Sequence, residues 1–182
     1  MDIYQKKTRE IQRIKEFRLT YPYVSIPYDM VKTAQNLFIA EILNKIIIEE
    51  EQNPALYNFL ESSLLFFDLM DKGKSVFHIW FLTHLTGYLG IMPDIRRMDR
   101  EWFDMHLGTM VAGEPPHPEY MKPGISSLFR SIMDTGIREL AGFKADQSEK
   151  TMLLDKILEY YTLHFSNLSG LKSPEILREV FH

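Results

Sequence analysis

The chain has 182 residues, 45% of them apolar, with a formal charge of −4 and no cysteine. This length and apolar share exclude a disordered chain and suffice for one domain with a substantial core. The lack of cysteine excludes disulfides, thiolate nucleophiles, iron–sulfur clusters and every cysteine-ligated zinc site.

Residues 1–20 hold six basic side chains (Lys6, Lys7, Arg9, Arg13, Lys15 and Arg18) against three acids, whereas the remainder has 15 basic against 22 acidic residues. Nucleic-acid affinity scales with the number of Lys and Arg contacts to phosphate, so any such contact is local and this opening segment is its candidate. Met1 to Tyr4 and Ile11 to Phe17 read as two short strands joined by a charged turn, although Ile11, Ile14 and Phe17 equally fit one face of a helix. The segment Tyr21-Pro22-Tyr23-Val24-Ser25-Ile26-Pro27 imposes an extended connection, because each proline disfavours the helical region for its predecessor. A boundary is expected there.

From Pro27 a long helix is expected through Ala34, Leu37, Phe38 and Ile42 to Ile48, buried on more than one face. Asn53-Pro54 supplies the cap and first residue of a second helix, whose stripe Leu56, Leu60, Ser63, Leu64, Phe67 and Met70 runs until Gly73. Ser75 is expected to cap a third, aromatic helix with Phe77, Trp80, Phe81, His84, Leu85 and Tyr88 on the 3.6-residue period, ending at Gly90. Residues 91–123 carry five of the nine prolines. A structureless insert of that length is uncommon in a compact domain, so short helix or strand is expected around Arg96–Asp104 and Val111. Helical pattern resumes over Ile125–Met133 and Ser148–His164, where Leu154, Ile157, Leu158 and Tyr161 form one stripe, and Ser173-Pro174 opens a last short helix with Ile176, Leu177, Val180 and Phe181. The fold class expected is mainly α: a compact helical domain with a Pro/Gly-rich irregular insert and a short N-terminal β-like piece.

No run approaches the length of about 18 apolar residues that a membrane helix needs. Met1 to Glu10 carries five charges, unlike an export signal. A cytoplasmic protein without membrane contact fits best.

Six histidines stand at 78, 84, 106, 117, 164 and 182, no two of them at the i, i+4 spacing that places both rings on one helix face. No metal site is expected, and His78 and His84 read as packing residues. Glu49-Glu50-Glu51 reads as a solvated helix end. No nucleophile elbow, phosphate-cradling loop or dinucleotide fingerprint occurs, so neither an enzyme nor a cofactor is indicated. Arg96, Arg97 and Arg100 lie beside Trp102 and Phe103, but Asp94, Asp99, Glu101 and Asp104 interleave with them, favouring local ion pairs over a ligand site. Two rival readings stay open: a small-molecule-sensing helical regulatory domain whose helix 75–89 lines a cavity, and a metal-assisted hydrolase using His84, His106 or His117.

Ile14-Lys15-Glu16, then Tyr21 to Pro27, then Leu37-Phe38-Ile39-Ala40-Glu41-Ile42-Leu43 resemble the DNA recombination and repair family RecO in its Bacteroidetes-type form. Phe77-His78-Ile79-Trp80-Phe81, Gly87-Tyr88-Leu89-Gly90, His117-Pro118-Glu119-Tyr120, Tyr160 to Phe165 and Leu171-Lys172-Ser173 follow in the family's order. The resemblance implies a RecO-like C-terminal helical domain over 21–182, with 1–20 as a remnant of the last strands of an N-terminal OB-fold domain that is otherwise missing. Single-stranded DNA would then be engaged mainly through that missing domain. The four-cysteine zinc motif of many members has no counterpart in Ile91 to Met121, so zinc is not carried over. The implied function is a non-enzymatic adaptor of the RecFOR pathway that assists recombinase loading. Its implied partners are RecR and the acidic, phenylalanine-ended C-terminal tail of single-stranded DNA-binding protein. Such a tail needs an apolar pocket with a basic rim, for which Arg130, Arg138, Lys144 and Lys156 are candidates by residue type.

Overall fold

A computed structural model describes residues 2–4, 13–16, 18–47, 52–168, 170, 171, 173, 174, 177 and 180. Five α-helices, α1 (Met30–Ile46), α2 (Pro54–Leu69), α3 (Phe77–Leu85), α4 (Pro123–Asp134) and α5 (Gln147–His164), form the frame of the described chain. The molecule is mainly α. Two strands open it, β1 (Asp2–Tyr4) and β2 (Arg13–Glu16), paired antiparallel with Ile3 opposite Ile14. The strand alternative for this segment therefore holds over the helical one. Three more strands, β3 (Trp102–Asp104), β4 (Thr109–Val111) and β5 (Tyr120–Met121), form an antiparallel sheet in the order β4-β3-β5.

The connection 21–28 is held by a side chain that periodicity does not single out. Asp68, buried near the end of α2, accepts the backbone N–H groups of Val24, Ser25 and Ile26, each at 2.8 Å. Beside it the Lys32 ammonium donates to the Asp68 carbonyl at 2.8 Å and to Ser25 Oγ at 2.6 Å. Pro27 does not begin a helix as expected; it sits in a turn in which the Tyr28 and Asp29 N–H groups both reach the Ser25 carbonyl. α1 starts at Met30 because Asp29 Oδ1 accepts from Val31 and Lys32, satisfying two otherwise orphaned donors. Nor is α1 buried on several faces. Gln35, Phe38, Ile39, Ile42 and Ile46 make one inward stripe, while Leu37 is 60% exposed.

α2 begins as expected, with Asn53 Oδ1 accepting from Leu56 at 3.0 Å and Pro54 at its first position. Ser75 does not cap α3. A 3-10 turn over Lys74–Val76 leads into that helix, and Gln35 of α1 takes the capping role by accepting the His78 N–H while donating to the Lys74 carbonyl. The helix also stops at Leu85, short of Gly90, where the chain tightens into successive i→i+3 turns from His84, Leu85 and Thr86.

α3 is the centre of the core: eight of its nine residues are buried, so it is surrounded on all sides and has no solvent face. Phe77 stacks on Phe67 of α2 with centroids 3.8 Å apart, Trp80 donates its indole N–H to the Thr135 carbonyl, and Tyr161 of α5 donates to the Leu82 carbonyl. These aromatics pack against one another in the interior, which disfavours the rival in which helix 75–89 lines a ligand cavity. His78 and His84 are packing residues, as expected. His84 stacks on Trp80 and its Nδ1 reaches the Trp80 carbonyl at 3.0 Å, and burial pushes His78 down to about 3.

Of the short helix or strand expected around Arg96–Asp104 and Val111 in the proline-rich insert, it is strand that forms, at Trp102–Asp104 and Thr109–Val111. β5 is an addition that its two-residue length hid. Phe103, Met105, Met110 and Met121 point into the core, and Phe103 meets Phe129 of α4 at 5.1 Å. Arg96 pairs with Asp94 at 2.9 Å and Arg100 lies 4.0 Å from Asp99, the local pairing expected of that cluster. Lys6, Lys7, Arg9, Glu49 to Glu51, Ile176, Phe181 and His182 lie outside the described residues. No helix among the described residues is long and apolar enough to cross a membrane.

Candidate functional site: an apolar cleft with lysines, and a histidine cluster

Residues 117–121 contribute to two sites, Pro118 and Tyr120 to one and His117 and Glu119 to the other, and the Tyr120 N–H turns back to the Pro118 carbonyl at 2.9 Å between them. At the first, Pro118 and Tyr120 form the wall of a cleft of about 470 Å³. Lys122 and Ile125 at the start of α4 continue the lining, and Met152, Asp155, Lys156 and Glu159 close it. These last four recur at i, i+3, i+4 and i+7 and so share one face of α5. The apolar part of the lining comes from Pro118, Tyr120, Ile125 and Met152. Its charge is mixed: Lys156 Nζ lies 2.7 Å from Glu159 Oε2, whereas Lys122 is exposed and has no ion pair among the described residues.

The four basic residues proposed for the rim take different roles. Lys156 lines this cleft, and Lys144 lines a second one with Ser131, Thr135, Glu139, Gly142 and Phe143. Arg138 is exposed on the 3-10 turn Ile137–Gly142. The Arg130 guanidinium donates to the carbonyls of Arg97 and Arg100 at 3.2 and 3.0 Å, pinning the turn that leads into β3. Sequence reasoning missed Lys122, Ile125 and Met152; the α5 spacing was legible, but the chain reversal that faces it with residues 118–125 was not. In the nucleic-acid candidate, Lys15 and Arg18 are exposed and Arg13 lies on β2.

At the second site His117 and Glu119 meet His106 from the β3–β4 turn. One ligand atom from each lies within 4.8 Å of the other two. His106 Nε2 is 3.3 Å and His117 Nδ1 3.5 Å from the same oxygen, Glu119 Oε2. His117 Nε2 is 3.2 Å from Asp104 Oδ2, while Asp104 Oδ1 accepts the backbone N–H groups of His106 and Leu107, each at 2.9 Å. The His106 ring beside Glu119 holds its carboxyl below the usual range. Helix spacing puts no two histidines on one helix face and gives no reason to expect a metal site. His106 and His117 converge from two loops, which no i, i+4 search detects, while His84 stays in the core.

A family model described as "Recombination protein O C terminal" matches residues 27–175. The chain is 30% identical over 182 residues to the DNA repair protein RecO of Azobacteroides pseudotrichonymphae, covering all of this chain and 76% of that protein. It is 34% identical over 171 residues to the DNA repair protein RecO of Bacteroides fragilis, covering 93% of this chain and 71% of the relative. A third relative, the DNA repair protein RecO of Flavobacterium psychrophilum, is 32% identical over 182 residues, covering all of this chain and 75% of its own length.

Proposed function

The chain belongs to the RecO family, with its residues 27–175 matching that family's C-terminal domain, and from this premise we propose that it is a non-enzymatic adaptor for partner proteins at single-stranded DNA. A role in DNA repair comes with the family. The finer reading is that the α4–α5 cleft receives the acidic, phenylalanine-ended tail of single-stranded DNA-binding protein.

The carrying observation is an apolar lining beside a lysine, Lys122, that has no ion pair among the described residues. A terminal phenylalanine ring would bury itself against Ile125, Met152, Pro118 and Tyr120, and its carboxylate and the neighbouring acids would meet Lys122 and Lys156. Burial of one aromatic plus a few charge-assisted hydrogen bonds suits micromolar affinity, about −8 kcal/mol. Glu159 already holds Lys156, so Lys122 carries the greater part of the new attraction. The lysines also disfavour the small-molecule alternative, which calls for a deep apolar pocket without a basic rim. RecR is the second partner of this reading, on a surface outside the cleft. Residues 1–20 are read as the remnant of an OB-fold domain, with single-stranded DNA held mainly by the remainder of that domain. Such an adaptor works in the cytoplasm, without membrane or cofactor.

Fluorescence anisotropy of a labelled tail peptide titrated with the chain tests the reading. Saturable micromolar binding is expected, lost when the terminal phenylalanine becomes alanine and weakened at least tenfold by Lys122→Glu. Binding indifferent to both changes, or none by the folded chain, would overturn it.

A further inference from the structure

We infer that His106, His117 and Glu119 form a binding site for one zinc-class divalent cation, with Asp104 orienting His117. A tetrahedral ion with bonds of about 2.0–2.1 Å sets its ligand atoms about 3.3 Å apart. The distances from Glu119 Oε2 to His106 Nε2 and His117 Nδ1, 3.3 and 3.5 Å, are two edges of such a tetrahedron. His106 is half exposed at the mouth of the cluster, so its ring can turn to complete the third edge, and water takes the fourth position.

His117 is held between two carboxylates, Asp104 at Nε2 and Glu119 at Nδ1. A carboxylate only accepts, so with a metal bound Nε2 would donate to Asp104 Oδ2 and Nδ1 would ligate the ion. Nδ1 is sealed from solvent, has no hydrogen-bond partner among the described residues, and faces the Glu119 carboxylate. A cation placed between Nδ1 and that carboxylate would be ligated by both. Asp104 meanwhile is 5% exposed and is fixed by two backbone N–H groups. It supplies the carboxylate–histidine–metal relay that holds a ligating ring in its tautomer and orientation.

Two imidazoles and a carboxylate suit zinc and its first-row neighbours and are a poor set for magnesium or calcium, which prefer all-oxygen shells. A bound ion would tie the loop containing Pro115, Pro116 and Pro118 to the end of β3. The Met105 N–H already reaches the Glu119 carbonyl there at 3.1 Å. The inference does not depend on the cleft reading.

The test is equilibrium dialysis of the untagged chain against zinc chloride with elemental analysis, plus titration with cobalt chloride, whose visible absorption reports tetrahedral coordination. One equivalent of zinc per chain is expected, with tetrahedral cobalt bands that zinc displaces. His106→Ala removes an exposed ligand and should weaken binding at least tenfold while circular dichroism stays that of the parent. Asp104→Asn keeps an acceptor for the two backbone N–H groups but presents a donor to His117, and should cost roughly 10–100-fold in affinity. No stoichiometric zinc on the folded parent, or binding that His106→Ala and Glu119→Gln leave unchanged, would overturn the assignment.

Discussion

Single side chains decide how the N-terminal connection and the core are held, and they were the least legible part of the sequence. Asp68 appears in the sequence as one acid in a helix, yet its acceptor bonds reach 42–44 residues back along the chain. Burial works against its charge, but the N–H groups of Ile26, Val24 and Ser25 outweigh it and leave its pKa below the ordinary carboxylate value. That stabilisation is present above the unfolded-state pKa and is lost as pH falls through the folded one. Asp68→Ala leaves those donors without their acceptor, and a loss of about 2–3 kcal/mol is expected in urea unfolding. His78 was legible as a packing residue. With a folded value of about 3 against 6.5 when free, its neutral form contributes stability that is full above pH 6.5. That contribution declines as pH falls toward 3, by at most about 1.4 kcal/mol per pH unit. His78→Leu should flatten the stability curve between pH 7 and 5 by about 2 kcal/mol relative to the parent.

At the scale of elements, the sequence marks helices well where a cap and a period coincide. Asn53-Pro54 placed α2, and the i, i+3, i+4, i+7 set placed α5. It misplaced the starts of α1 and α3, because Asp29 is a better cap than the turn at Pro27 and because α3 takes its cap from Gln35, 43 residues earlier. β5 has two residues and exists only through its pairing with β3, which no local pattern carries. Glycines give a test of opposite signs. Gly73 has φ +80°, and a Cβ there would lie 2.7 Å from the Ala141 nitrogen and 2.8 Å from the Leu140 carbonyl carbon. Gly73→Ala thus combines left-handed strain with a backbone clash between the two 3-10 turns and should cost about 2–4 kcal/mol. Gly124, inside α4, has nothing within 4 Å of that position. Gly124→Ala should raise stability by about 0.5–1 kcal/mol, and thermal melts of the two variants should move in opposite directions.

For the whole molecule, the ordered landmarks pointed to the family that the comparisons show. They did not assemble the sites, since the cleft joins residues 118–125 to 152–159 and the histidine cluster joins 104–106 to 117–119. Both depend on how the insert folds back over α4 and α5, and that path follows from tertiary packing around Phe103 and Phe129. The basic opening segment was legible in charge alone, and its strands proved correct.

Hydrogen–deuterium exchange of the chain with and without the acidic, phenylalanine-ended tail peptide tests the adaptor reading most directly. The account predicts slowed exchange confined to residues 118–126 and 152–160, the two walls of the cleft. Protection centred instead on residues 131–144, or no change at saturating peptide, would contradict it.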